Sequence, residues 1–179
     1  MIHQDVDQLR YPIGKFEMPS EVNQQQLTSW IQSISNFPGT ITSLTANLST
    51  EEKKLTYRPE SWAIKQVVHH CADSHMNAFI RFKFTLTEDM PTIKPNFEER
   101  WAELNDGKAD DLSDTLLLLT ALHSKWTRLL RGLSEADLKR EYVHPQYGKH
   151  FSLEEAIGLY AWHCEHHLAH VRIIWRMCA

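Results

Sequence analysis

The stretch SLEEAIGLYAWHCEHHLAH, residues 152–170, decides the fold. Its first four residues, Ser152-Leu153-Glu154-Glu155, have the form of a capping box, in which a hydroxyl and a carboxylate satisfy the first free N–H groups of a helix. Beyond the box, Leu153, Ala156, Ile157, Tyr160, Leu168, Val171 and Trp175 fall on one side of a 3.6-residue period. No proline interrupts them. The spacing predicts a helix running almost to the C-terminus.

Three further stretches read the same way. From about Leu112 to Leu133, the residues Leu112, Leu116, Leu119, His123, Trp126, Leu130 and Leu133 alternate steps of four and three, the seam of a helix bundle. From Ser61, a candidate N-cap, to about Glu88 there is neither Pro nor Gly, and Ile64, Val67, Val68, Cys71, His75, Ala78, Phe79, Phe82 and Leu86 make an apolar face. A polar-rich helix begins near Ser20 with Leu27, Trp30, Ile31 and Ile34; Pro38-Gly39 is expected to break or kink it before Ile41, Leu44 and Leu48. Four long helices and no extended sheet predict an all-α four-helix bundle. Residues 1–19, with Pro12, Gly14 and Pro19, read as an extended N-terminal arm anchored by Tyr11, Ile13 and Phe16, and 20–179 as a single bundle domain. The longer connections follow the second and third long helices: FEERWAEL (97–104) fits one short helix, and 140–151 a loop or small hairpin.

Composition narrows the function classes. A 179-residue chain with 42% hydrophobic and 23% charged residues is globular, and a net charge of −4 does not suit nucleic acid. No apolar run is long enough for a membrane span, and the first residues lack the pattern of a secretory leader. Cys71, Cys164 and Cys178 are odd in number and lack CxxC spacing, so a disulfide framework is not expected. An intracellular protein acting on a small molecule is the remaining expectation.

Eleven histidines stand out, seven of them in VVHHCADSH (67–75) and YAWHCEHHLAH (160–170). Two histidines four apart on a helix can aim at one cation, and a third from a neighbouring helix completes the set. Helical phase selects among them. At about 100° per residue, His163 and His167 border the apolar face of the last helix, whereas His166 and His170 turn away from it. On the second long helix His70 sits at the edge of the core and His69 on the far side. His70, His163 and His167 are therefore the candidate metal ligands. His3, His69, His144, His150, His166 and His170 read as surface histidines, and His75 and His123 as buried, hydrogen-bonded ones, with a place near the metal as the alternative for His123. Along the His70 edge runs a polar line of Gln66, Asp73, Ser74, Asn77 and Arg81, which suggests a wet cleft. Asp73, one turn from His70, is a candidate orienter or base. Glu165 falls on the wrong face for an HExxH protease, and Cys164, near the centre of the apolar face, reads as an inert core thiol.

The strings YPIGKF (11–16), YRPESWAIKQVVHHCADSHMN (57–77), IRFKFTLTEDMPTIKP (80–95), LHSKWTRLLR (122–131) and GLYAWHCEHHLAH (158–170) resemble the DinB-like superfamily of bacterial four-helix proteins. Within it they are similar to the YfiT group, described as metal-dependent hydrolases. The resemblance implies one histidine ligand on the second helix and two on the fourth, which fall on His70, His163 and His167. It also implies zinc or nickel, a cytoplasmic homodimer, and, in some relatives, transfer to a low-molecular-weight thiol such as bacillithiol. Glu60 stands where the pattern leads one to expect a small residue. The expected activity is hydrolysis of a small molecule, with thiol S-transfer as the first alternative and a non-catalytic metal-binding stress protein as the second. Trp62, Met76 and Ile80, off the main apolar face, are candidate dimer contacts.

Overall fold

A computed structural model describes residues 6–178. Asn23 caps the first long helix, its side chain accepting from the Gln26 N–H at 2.8 Å, so the helix starts a few residues after Ser20. In chain order the elements are α1 (Val6–Arg10), α2 (Gln24–Thr45), α3 (Thr50–Lys53), α4 (Ile64–Thr87), α5 (Glu98–Trp101), α6 (Ser113–Arg131), α7 (Glu135–Leu138), β1 (Glu141–His144), β2 (Lys149–Ser152) and α8 (Leu153–Cys178). Helices α2 and α4 each pack against both α6 and α8. This is the expected four-helix bundle, with α4 and α8 as direct neighbours.

The core is what the periodicities predict. Ile34, Phe37 and Ile41 of α2 meet Ile64, Val67, Val68 and Phe82 of α4, Leu119 and Trp126 of α6, and Ile157 and Ile174 of α8, all fully buried. Burial of each such side chain stabilises the fold by roughly 1.5–3 kcal/mol. The connection 140–151 is a hairpin, β1 pairing antiparallel with β2 in the register Glu141↔Ser152 to His144↔Lys149. Hydrogen bonds between Ile93 N–H and the Val143 carbonyl, and between Val143 N–H and the Pro91 carbonyl, tie the loop after α4 to this hairpin.

Three local expectations are corrected. Pro38-Gly39 does not end the first helix: α2 runs through it, with Phe37 and Pro38 buried among the neighbouring helices. Tertiary packing outweighs a proline cost of about 3 kcal/mol. Ser61 does not cap α4, which begins with Ala63 as its N-cap and the Gln66 side chain accepting from the Ala63 N–H. The Ser61 hydroxyl instead closes the preceding turn, donating to the Arg58 carbonyl at 2.9 Å. The N-terminal arm is not wholly extended, because Val6–Arg10 forms a helical turn. His3 and the rest of 1–5 lie outside the described residues. Tyr11 and Phe16 lie on α8, against His166 and Trp162, while Ile13 is exposed.

Candidate metal centre

Because α4 and α8 are adjacent and unbroken, the helical phase carries through to three dimensions. The side chains of His70, His163 and His167 converge, each with one ring nitrogen within 4.8 Å of the others. Nε2 of His70 and Nε2 of His163 stand 3.3 Å apart. That is the separation of two nitrogens sharing a tetrahedral cation with bonds of about 2.05 Å. His70 and His167 are buried and His163 partly so. Burial, reinforced by the His166 ring, pushes the His70 imidazole down to about 4. His163 and His167 are driven well below the ordinary histidine value by burial first and by neighbouring imidazoles second. All three are therefore neutral at pH 7, the form a metal requires.

Trp62 borders the triad on one side and a cleft borders it at His163. The Trp62 ring lies 4.7 Å from that of His70, so this candidate dimer contact is half-buried against the site. Asp73 is half-buried on α4, and burial together with Asp106 raises its carboxyl to about 6. Beside His163 opens a cleft of about 470 Å³, walled by Ser74, Arg81, Asn96, Tyr142 and Tyr160 among others. Arg81 donates to the Tyr160 hydroxyl and to the Asn96 side-chain oxygen, both at 3.1 Å, while its buried Nε has no partner. Of the polar line on α4, Ser74 and Arg81 line the cleft, whereas Gln66 donates to the Ala102 carbonyl at 3.0 Å and Asn77 to the Asp73 carbonyl at 2.8 Å. Cys164 is fully buried and its thiol pushed far up by burial, as expected of a core thiol.

Four histidines assigned to the surface are buried instead. His69 is held by the Ala109 carbonyl in the segment before α6 and by the Thr115 hydroxyl in the first turn of α6. His144 turns into the cleft wall beside Tyr147. His166 and His170 face away from the bundle core, yet Tyr11 covers one and Tyr57 stacks on the other with ring centroids 3.8 Å apart. His166, His167 and His170 consequently form a second group whose ligand atoms are mutually within 4.8 Å. His75 and His123 are buried as expected, but they are not isolated: His75 bridges His123 and His163 at 2.9 and 3.0 Å. The signal was two histidines on apolar seams, where a polar ring needs a partner.

Comparison with known proteins supplies the lineage. The model of the DinB superfamily matches residues 36–171. The chain belongs to that superfamily. It is 42% identical over 167 residues to a Bacillus licheniformis protein named "Putative metal-dependent hydrolase", covering 93% of this chain and 95% of the relative. It is likewise 42% identical over 163 residues to the similarly named YfiT of Bacillus subtilis, covering 91% and 92%. A solved structure of YfiT, described as "a probable metal-dependent hydrolase with an unusual four-helix bundle topology", superposes with a TM-score of 0.92 at 41% identity, covering 96% of this chain and 98% of that one.

Proposed function

We propose that this DinB-superfamily protein is a metal-dependent hydrolase acting on a small molecule, with His70, His163 and His167 holding a divalent cation, zinc or nickel. One observation carries the reading: three neutral imidazoles from two helices converge within bonding reach of one ion, with no carboxylate or thiolate in the group. Structural zinc sites are closed by four protein ligands, whereas three leave a position for chemistry. A divalent cation held this way keeps its full charge and lowers the pKa of a water to roughly 7, or that of an incoming thiol into the neutral range.

The chain's own residues divide the remaining work. Asp73, one turn beyond His70 on α4 and with its carboxyl raised to about 6, is the candidate orienter or base. Arg81, held in the cleft wall by Tyr160 and Asn96 with Glu98 nearby, offers its guanidinium to an anionic part of the substrate. The uncharged triad suits a thiolate as well as hydroxide, so S-transfer to a bacillithiol-like thiol is the second reading. The protein works in the cytoplasm as a homodimer, with Ile80, nearly half exposed on α4, at the contact, and Trp62 and Met76, both half-buried, less available to it.

Elemental analysis of untagged protein after reconstitution tests the metal, with His163→Ala as control. Metal at background level in the wild type refutes the reading. Ester, amide and thiol-conjugation panels then separate hydrolase from transferase. Metal that raises the melting temperature without turnover in any panel leaves the non-catalytic stress protein.

A further inference from the structure

We propose that His75, His123 and His170, none of them a ligand, are positioning residues that fix which ring nitrogen His163 and His167 present to the metal. The inference rests on the reading of His70, His163 and His167 as ligands. It begins at Pro38. Inside α2 this residue lacks the N–H that would have bonded the carbonyl of Ile34, four residues earlier. That carbonyl is met instead by Nδ1 of His123 at 2.6 Å.

A carbonyl can only accept, so His123 carries its hydrogen on Nδ1. Its ring is neutral, held at about 4 by burial, which leaves Nε2 bare. Nε2 lies 2.9 Å from Nδ1 of His75, which must then donate, leaving the His75 Nε2 bare in turn. That atom is 3.0 Å from Nδ1 of His163, with the sulfur of Cys164 farther off at 3.9 Å. Two bare ring nitrogens at 3.0 Å would repel each other, so Nδ1 of His163 must donate. His163 therefore holds its hydrogen on Nδ1, and its Nε2 faces His70 Nε2 with a free lone pair. The reverse polarity would set the bare Nδ1 of His123 against the lone pairs of Ile34.

A second, shorter chain reaches the other ligand of α8. The carbonyl of Arg10 in the N-terminal turn accepts from Nε2 of His170 at 3.3 Å. Nδ1 of His170 is then bare and lies 3.4 Å from Nδ1 of His167, which donates and leaves Nε2 of His167 for the triad. Both chains begin at a backbone carbonyl and end at a ligand, and neither contains a charged group. Groups that orient metal-bound histidines in this way commonly change affinity by 10–100-fold when removed.

The test uses ring-nitrogen NMR of the metal-free, uniformly labelled wild-type protein, followed by zinc titration against a chelator. His163 and His167 are expected as the Nδ1–H tautomer before any metal is added. His75→Leu should weaken zinc binding at least tenfold and let His163 populate the Nε2–H form. His75→Gln, which offers one acceptor and one donor in the same order, should restore most of the affinity. A merely structural role would be served as well by leucine. A wild type that binds no zinc overturns the metal reading itself. A wild type that binds zinc but carries the hydrogen on Nε2 of His163 beforehand overturns the positioning chain, as does a folded His75→Leu variant with unchanged affinity.

Discussion

Lowering the pH of the metal-free protein from 7 to 5 should unfold it, because the chain buries histidines it must keep neutral. Burial drives His70, His123 and His166 to about 4 and His170 to about 3. In the unfolded chain each titrates near 6.5. Folded values below unfolded ones mean that the unfolded state takes up protons first, so their contribution is complete above about pH 6.5 and is lost as the pH falls toward 4. By about pH 5 each of the four costs the fold about 2 kcal/mol, or about 8 kcal/mol together, against a total stability on the order of 5–15 kcal/mol. His75, His163 and His167, shifted further still, add to the loss. Asp73 acts in the opposite sense: its folded value of about 6 lies above the unfolded one, so its contribution is present below about pH 4 and fades as the pH rises through 6. Half-exposed, it offsets a fraction of one histidine. Urea denaturation by circular dichroism at half-unit intervals measures the slope. A stability flat to within about 1 kcal/mol across this interval would refute the claim that these rings are buried and neutral.

Zinc at about a hundred times its dissociation constant should add about 2.7 kcal/mol, raising the melting temperature by about 5–10 °C, and His163→Ala should abolish the shift in a thermal melt. Glu60 has φ 58°, in the left-handed region, so Glu60→Gly should leave the turn before α4 unstrained and stabilise the protein by about 1 kcal/mol in urea unfolding. Phe37, fully buried, lies 5.4 Å from the His123 ring and edge-on to His75 at 5.1 Å. Phe37→Ala should cost about 3–5 kcal/mol in the same assay.

The bundle and the triad were legible because α4 and α8 are long and uninterrupted, so a phase of about 100° per residue carries a position accurately from one turn to the next. His166 and His170 were misplaced for a related reason. Phase locates a residue relative to its own helix's apolar face and says nothing about what covers the opposite one. The cover here is Tyr11, Arg10 and Tyr57, from segments without helical period that no periodicity could place. His69 fails likewise, under the segment around Ala109. A break at Pro38, one of the two outcomes that local propensity allows, does not occur because Phe37 and Ile41 on either side are buried in the core.

The chemistry of the outer histidines explains why imidazoles and carbonyls stand where a carboxylate could have stood. A carboxylate accepting from a ligand's Nδ1–H fixes the same tautomer, but it raises the basicity of that ligand and brings a negative charge toward the ion. Chains that end at the carbonyls of Ile34 and Arg10 set the hydrogen without adding charge. On the proposed reading the cation then keeps its full attraction for an incoming hydroxide or thiolate. Replacing His75 by Glu would supply a direct anionic acceptor for His163 Nδ1–H while leaving Nε2 of His123 without its donor. The expected outcome is zinc affinity retained or increased but slower turnover, a split that loss of packing alone would not produce.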